Sequence, residues 1–159
     1  MGKFRLLRKT IKSFSEEDKS IFISALSDLV GYEVKAKNLH WSSPSKNIHL
    51  YIDEYWEKLL DFIDGVAEGY MGINGYLGPN DIKATDFDFI NAEEFIDSIC
   101  ERLDKFHEEI PNGARWSGLK SLCEDFIQTS FQYRYLFAMS DENGEFGTPI
   151  SGEYGDDLQ

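Results

Sequence analysis

The sequence predicts an all-α fold, a four-helix bundle with one long crossover between helices 2 and 3. Three observations predict it. Four segments repeat apolar residues at three- and four-residue spacing. Strand-like alternation is not visible over any useful length. The links between helices 1 and 2 and between helices 3 and 4 are short, which makes antiparallel neighbours, whereas helices 2 and 3 are separated by a long turn-rich stretch.

The first helix is expected from Ser15 to Trp41. Ser15 stands as an N-cap, followed by Glu16, Glu17 and Asp18, whose charge suits the positive end of the helix dipole. Phe22, Leu26, Leu29, Glu33, Ala36 and His40 form its inner stripe, and Ser42-Ser43-Pro44-Ser45 stops it. The second helix runs from Lys46 to about Gly72, with Ile52, Tyr55, Trp56, Leu59, Leu60, Ile63 and Ala67 as its core face. Gly72 to Ile90 contains Gly75, Gly78 and Pro79 and is not regular helix. The third helix spans Ala92 to Ile110 on Phe95, Ile99, Leu103, Phe106 and Ile110, and Pro111-Asn112-Gly113 ends it. The fourth spans Arg115 to Met139 on Trp116, Leu119, Cys123, Phe126, Ser130, Tyr133 and Phe137. A bundle with a single long crossover is the ferritin-like pattern. The chain therefore divides into a basic arm (1–14), a ferritin-like four-helix bundle (15–139) and an acidic tail (140–159).

Length and composition bound the function. The 159 residues suit one domain with one core, and 12 Phe, 8 Tyr and 3 Trp argue against disorder. No apolar run approaches the ~20 residues that span a bilayer, and no signal peptide opens the sequence, so stable membrane insertion is not expected. Cys100 and Cys123 sit inside helical patterns. The expectation is two packed, reduced thiols in a cytoplasmic protein. The net charge of −13 argues against a generic nucleic-acid-coating surface. The charge is uneven, because residues 1–12 carry Lys3, Arg5, Arg8, Lys9 and Lys12 with no acid.

The second helix carries the chemistry. His49, Asp53, Asp64 and Glu68 fall at about 0°, 40°, 60° and 100° around its axis, on one stripe beside the apolar face. They form two pairs at i,i+4 spacing, each able to grip one cation. The pairs lie about 16 Å apart, too far for one metal ion. A two-fold axis midway between positions 58 and 59 removes the difficulty. A second copy of the helix laid antiparallel brings His49 and Asp53 of one chain opposite Glu68 and Asp64 of the other, giving two identical sites. One imidazole and three carboxylates suit Fe(II) or Mn(II). His40, ending the first helix, supplies a second imidazole. The same acids also fit a solvated helix face or a partner surface.

These residues resemble the motifs of Dps-type miniferritins. Asn38-Leu39-His40-Trp41 is similar to the His-Trp motif that ends the family's first helix. His49-Leu50-Tyr51-Ile52-Asp53-Glu54 resembles its His-x3-Asp-Glu motif, and Asp64-Gly65-Val66-Ala67-Glu68 its Asp-x-x-Ala-Glu motif. The resemblance covers about residues 36–78, and the interval from His40 to His49 is shorter than the family's. It implies a ferritin-like subunit of a hollow dodecamer, a homo-oligomer that oxidises Fe2+ with peroxide or oxygen and stores Fe3+ mineral, protecting against oxidative damage. It also implies a ferroxidase site, dinuclear or with one tight and one weak iron. His40, His49 and Asp53 would come from one subunit and Asp64 and Glu68 from its neighbour, with Trp41 close by. Gly65 and Gly69, costly within a helix, would permit close approach at the dyad. Classical di-iron bundles use Glu-x-x-His, a pattern absent from this chain.

The arm is open to more than one reading. Phe4, Leu7, Ile11 and Phe14 recur between the five bases, an amphipathic pattern that suits packing on the bundle, a membrane surface, a partner groove or DNA. Two alternatives to the ferroxidase therefore stand: a non-enzymatic ferritin-like structural or interaction protein with a degraded metal site, and a DNA-binding protector.

Overall fold

The computed structural model describes residues 16–140. The basic arm with Lys3, Arg5, Arg8, Lys9 and Lys12, the expected cap Ser15 and the tail beyond Ser140 lie outside the described residues. Four helices form: α1 (Glu16–Ser42), α2 (Lys46–Asn74), α3 (Ala92–Glu109) and α4 (Ser117–Ser140), the last preceded by a 3-10 turn at Ala114–Trp116. No strand occurs among the described residues, and no helix among them is long and apolar enough to cross a membrane.

Local chemistry sets the helix ends. Ser45 is extended and its side chain accepts from the Ile48 N–H, which starts α2 directly after the Ser43-Pro44 stop. Asn91 accepts from the Glu94 N–H at 2.9 Å, and the Glu94 carboxylate accepts from the Ile90 N–H at 3.1 Å, so two orphan donors at the start of α3 are satisfied. Gly75 takes φ +89° to close α2, its N–H donating to the Met71 carbonyl. α4 ends one residue later than expected: Ser140 is helical and buried, and its carbonyl accepts from the Ser45 hydroxyl at 3.2 Å.

The helices surround one core in the order α1, α2, α4, α3. Ring contacts give their directions. Phe22 meets Tyr70 at 4.9 Å while His40 meets His49, so α1 and α2 are antiparallel. Tyr32 meets Phe95 and Phe22 meets Phe106, so α1 and α3 are antiparallel. Tyr55 meets Tyr133 and Phe62 stacks on Phe126 at 4.2 Å, so α2 and α4 are antiparallel.

Residues 75–91 are not a solvated loop. They lie along α1: Asp81 pairs with Lys19, the Thr85 N–H donates to the Ser27 carbonyl at 2.9 Å, and Asp86 pairs with Lys35. Phe87 and Phe89 stack on Tyr32 and on each other. Thr85 and Arg102 share the Asp28 carboxylate, which ties this strap, α1 and α3 together.

The expected apolar stripes of α3 and α4 are buried throughout. The stripe of α2 differs. Its core face is Ile52, Tyr55, Leu59, Phe62, Val66 and Tyr70. Trp56, Ile63 and Ala67 are half-buried on the flank, and Leu60 is 36% exposed. The helix is turned by part of a residue step, so that the larger aromatics fill the bundle and the second apolar row lies beside the acids.

Cys100 and Cys123 are both buried and free. Desolvation, helped by nearby carboxylates, pushes both thiols up to about 12. The thiolate is the nucleophile. At pH 8 the native protein should therefore react with an aromatic disulfide reagent at a small fraction of the rate seen in denaturant, where both thiols should titrate. Fast reaction of either thiol in the native protein would contradict this packing.

Candidate metal centre

The tight turn between α1 and α2 brings His40 and His49 face to face. Their rings stack with centroids 3.8 Å apart and planes 25° apart. Each ring Nδ1 donates to the other residue's backbone carbonyl, His40 to His49 at 2.9 Å and His49 to His40 at 2.7 Å. A carbonyl only accepts, so both Nδ1 atoms carry hydrogen. The Nε2 atoms have no hydrogen-bond partner among the described residues. This is the arrangement in which a neutral imidazole offers Nε2 to a cation while its other nitrogen fixes the ring.

One turn along α2, Asp53 joins the pair. Its Oδ1 is 3.7 Å from the His40 Nδ1 and accepts from the Lys37 ammonium at 2.8 Å. That hydrogen bond, reinforced by the charge of Lys37, holds the Asp53 carboxyl below its usual range despite some desolvation. The short interval between the histidines thus places His40, His49 and Asp53 together.

Asp64 and Glu68 are elsewhere. Both are exposed, without a partner among the described residues, and eleven residues of helix put Asp64 about 16 Å beyond Asp53. Glu68 borders a shallow groove between α2 and α4 lined by Gly65, Gly69, Leu119 and Leu122. Among the described residues of a single chain, no group of three or more His, Cys, Asp or Glu side chains is placed to hold a metal ion. His40, His49 and Asp53 are neighbours without forming such a group.

Gly65, Gly69, Trp41 and His107 can be placed as well. Gly65 and Gly69 do not keep a dyad clear. A Cβ at Gly65 would meet Leu122 at 2.9 Å and one at Gly69 would meet Leu119 at 2.7 Å, so these glycines admit α4. Trp41 is 71% exposed, which excludes a core role within the subunit. His107 Nε2 donates to the Glu124 carboxylate at 2.9 Å across α3 and α4 and stands away from the histidine pair.

Sequence reasoning missed three residues that border the site. Lys37 lies over the Trp56 ring, its Nζ 3.9 Å from the centroid, and Trp56 donates its indole N–H to Glu33 at 2.8 Å. Part of the signal was available, since Glu33 and Lys37 precede His40 at four- and three-residue steps on one face of α1, whereas their contact with Trp56 is tertiary.

The family model described as a family of unknown function (DUF5856) matches residues 40–137. That span opens at His40 and takes in His49, Asp53, Asp64 and Glu68. Comparison with curated proteins and with solved structures finds no match.

Proposed function

The chain belongs to the family of unknown function DUF5856, and we propose that it is a ferritin-like, Dps-type miniferritin that oxidises Fe(II) at sites between subunits and sequesters the ferric product. The observation that carries this reading is the His40–His49 stack, with both Nδ1 atoms tied to carbonyls and both Nε2 atoms left for a cation. A stack of this kind has a plain structural use as a helix-to-helix clamp. The clamp alone does not account for Asp53 beside it, or for a second carboxylate pair at the mirror position of the same helix.

A two-fold axis midway between positions 58 and 59, beside Leu60, supplies the missing half. Trp56, Leu60, Ile63 and Ala67 form an apolar row along the stripe that carries His49, Asp53, Asp64 and Glu68. A second α2 laid antiparallel covers that row and sets Asp64 and Glu68 against the neighbour's His40, His49 and Asp53. In this reading the strap over α1 is the long crossover of a ferritin-like bundle, and further contacts build the dodecamer.

The chemistry follows from the donors. Iron enters as substrate, drawn by a chain of net charge −13. The two imidazoles hold Fe(II), and the carboxylates favour the ion more strongly as its charge grows to Fe(III). Two Fe(II) ions each give one electron to hydrogen peroxide, the O–O bond breaks, and two protons complete two waters. Exposed Trp41 stands next to His40, where a second subunit would cover it.

The test combines mass in solution with the rate of Fe(II) oxidation by peroxide under anaerobic mixing. The expected result is an oligomer built of dimers that oxidises iron, with the rate lost in His49→Ala/Asp53→Ala. A monomer, or an unchanged rate in that variant, overturns the proposal and returns the chain to a structural role.

A further inference from the structure

The groove between α2 and α4 has an apolar floor and an acidic rim. Ile73 and Leu122 lie half-buried in it over Leu119, and Gly65, Gly69 and Gly118 keep its walls low. Glu68 stands on its border. One turn further along, the exposed acids Asp61 and Asp125 follow Gly65 and Leu122 on the same rows. Arg115, where α4 begins, is the one base among its lining residues. The groove is on the α4 side of α2, whereas Trp56 bonds Glu33 on the α1 side, so it is separate from the row that the proposed dimer covers.

Residues 1–15 join α1 at the foot of this groove. Phe22 meets Tyr70 of α2 at 4.9 Å and stacks on Trp116, just before α4, at 5.2 Å. Asn74, one turn beyond Tyr70, has both polar side-chain atoms buried without a hydrogen-bond partner among the described residues. Buried amides in native proteins are nearly always paired, and the chain leading into α1 is the backbone that enters at this end.

We infer that the groove is the seat of this chain's own basic arm, residues 1–14, lying as a short fifth helix with Leu7, Ile11 and Phe14 on the floor and its bases over the acids. The lengths agree. A helix from Phe4 to Phe14 runs about 15 Å, and the groove from Ile73 to Asp61 runs about 18 Å. The exposed Phe131, Tyr135 and Met139 of α4 begin about 22 Å beyond Trp116 along that helix, out of reach of the same face. The charges agree too, since Arg5, Arg8, Lys9 and Lys12 interrupt the apolar positions of an arm with no acid. The arm's bases are thereby held on the bundle and do not project as a hook for nucleic acid. The inference does not depend on the iron reading.

The experiment is disulfide trapping in the full chain. Ile11→Cys is combined with Gly118→Cys in the groove or, as a control, with Gln128→Cys on the exposed outer face of α4. Cys100 and Cys123 are buried and stay out of the reaction. Under a mild oxidant the groove pair should form an intrachain disulfide about tenfold faster or more than the control pair. Adding Leu7→Asp and Phe14→Asp should bring it down to the control rate. Equal rates for the two pairs, or no effect of the two aspartates, overturn the inference. A disulfide joining two chains overturns it in favour of a second copy as occupant. Loss of the preference on adding duplex DNA at about 0.15 M salt overturns it in favour of nucleic acid. Should Gly118→Cys lose its helical circular dichroism, Ser121→Cys, exposed on the next turn of α4, carries the same expectation.

Discussion

Mixing two inactive variants is expected to restore iron oxidation. His49→Ala/Asp53→Ala removes one half of every site, and Asp64→Ala/Glu68→Ala removes the other. Each double variant alone should lose Fe(II) oxidation by about 100-fold or more, since even residues behind the ligands of metal sites cost about 10–100-fold. In a mixed dimer the losses fall together. One site inherits both altered halves, and the other pairs an intact His49 and Asp53 with an intact Asp64 and Glu68. Random re-association at equal amounts should therefore recover about a quarter of the parental rate, because half the dimers are mixed and each holds one working site. A site within one chain predicts no recovery at all. The measurement is the initial rate of ferric absorbance after the two proteins are unfolded and refolded together, compared with the same proteins refolded apart. Co-purification through two different tags verifies that mixed dimers form.

Much of the fold was legible because α3 and α4 bury what their spacing says they bury, and α1 does so except at Glu33 and His40, which are half-buried. In α3 and α4 every residue of the expected stripe is in the core, although α4 also exposes Phe131, Tyr135 and Met139 on its outer face. α2 was less legible because it is apolar over two adjacent rows. Spacing could not tell which row faces the bundle, and it mixed Tyr55 and Leu59, which are buried, with Leu60, which is not. The misplaced row is the one that the proposed dimer covers. The strap was legible only as an interruption. Its glycines and proline say that no helix continues, but its aromatics, Phe87 and Phe89, follow no helical period, and their partner Tyr32 is more than fifty residues away.

The same logic divides the site. His49, Asp53, Asp64 and Glu68 could be placed on one stripe because a single helix has a fixed pitch. His40 was expected beside them as a second imidazole, but its stacking on His49 could not be read, because it depends on the geometry of a three-residue turn that spacing does not encode. Lys37 was overlooked for a similar reason. Its role comes from Trp56 on the next helix and from Asp53, and only tertiary contact joins them. The role of Gly65 and Gly69 was reversed by the same gap, for a small residue shows that something approaches without showing from which side.

Gly31→Ala is expected to cost more stability than any other single methyl addition at a helical glycine described here, and Gly72→Ala is expected to have the opposite sign. In a helix interior Ala is favoured over Gly by about 1 kcal/mol, so both changes begin with the same gain. At Gly72 no atom lies within 4 Å of the added Cβ. The gain should survive there, raising the melting temperature by roughly 2–4 °C. At Gly31 the added Cβ would stand 2.2 Å from the Thr85 carbonyl oxygen and 2.9 Å from the Phe87 ring. A flexible side chain could turn away, as Leu119 and Leu122 can at Gly69 and Gly65, but a backbone oxygen moves only if the strap lifts. Lifting it loosens the Thr85 N–H bond to Ser27, the Thr85 hydroxyl bond to Asp28 and the Phe87 stack on Tyr32. At about 1 kcal/mol for each hydrogen bond and about 0.5–1.5 kcal/mol for the aromatic pair, the losses outweigh the gain in helix propensity by roughly 2 kcal/mol. Thermal unfolding followed by circular dichroism should show Gly31→Ala melting several degrees below the parent and Gly72→Ala above it. A rise for both would mean that the strap does not lie on α1 at this point, and the connection between α2 and α3 would have to take another path.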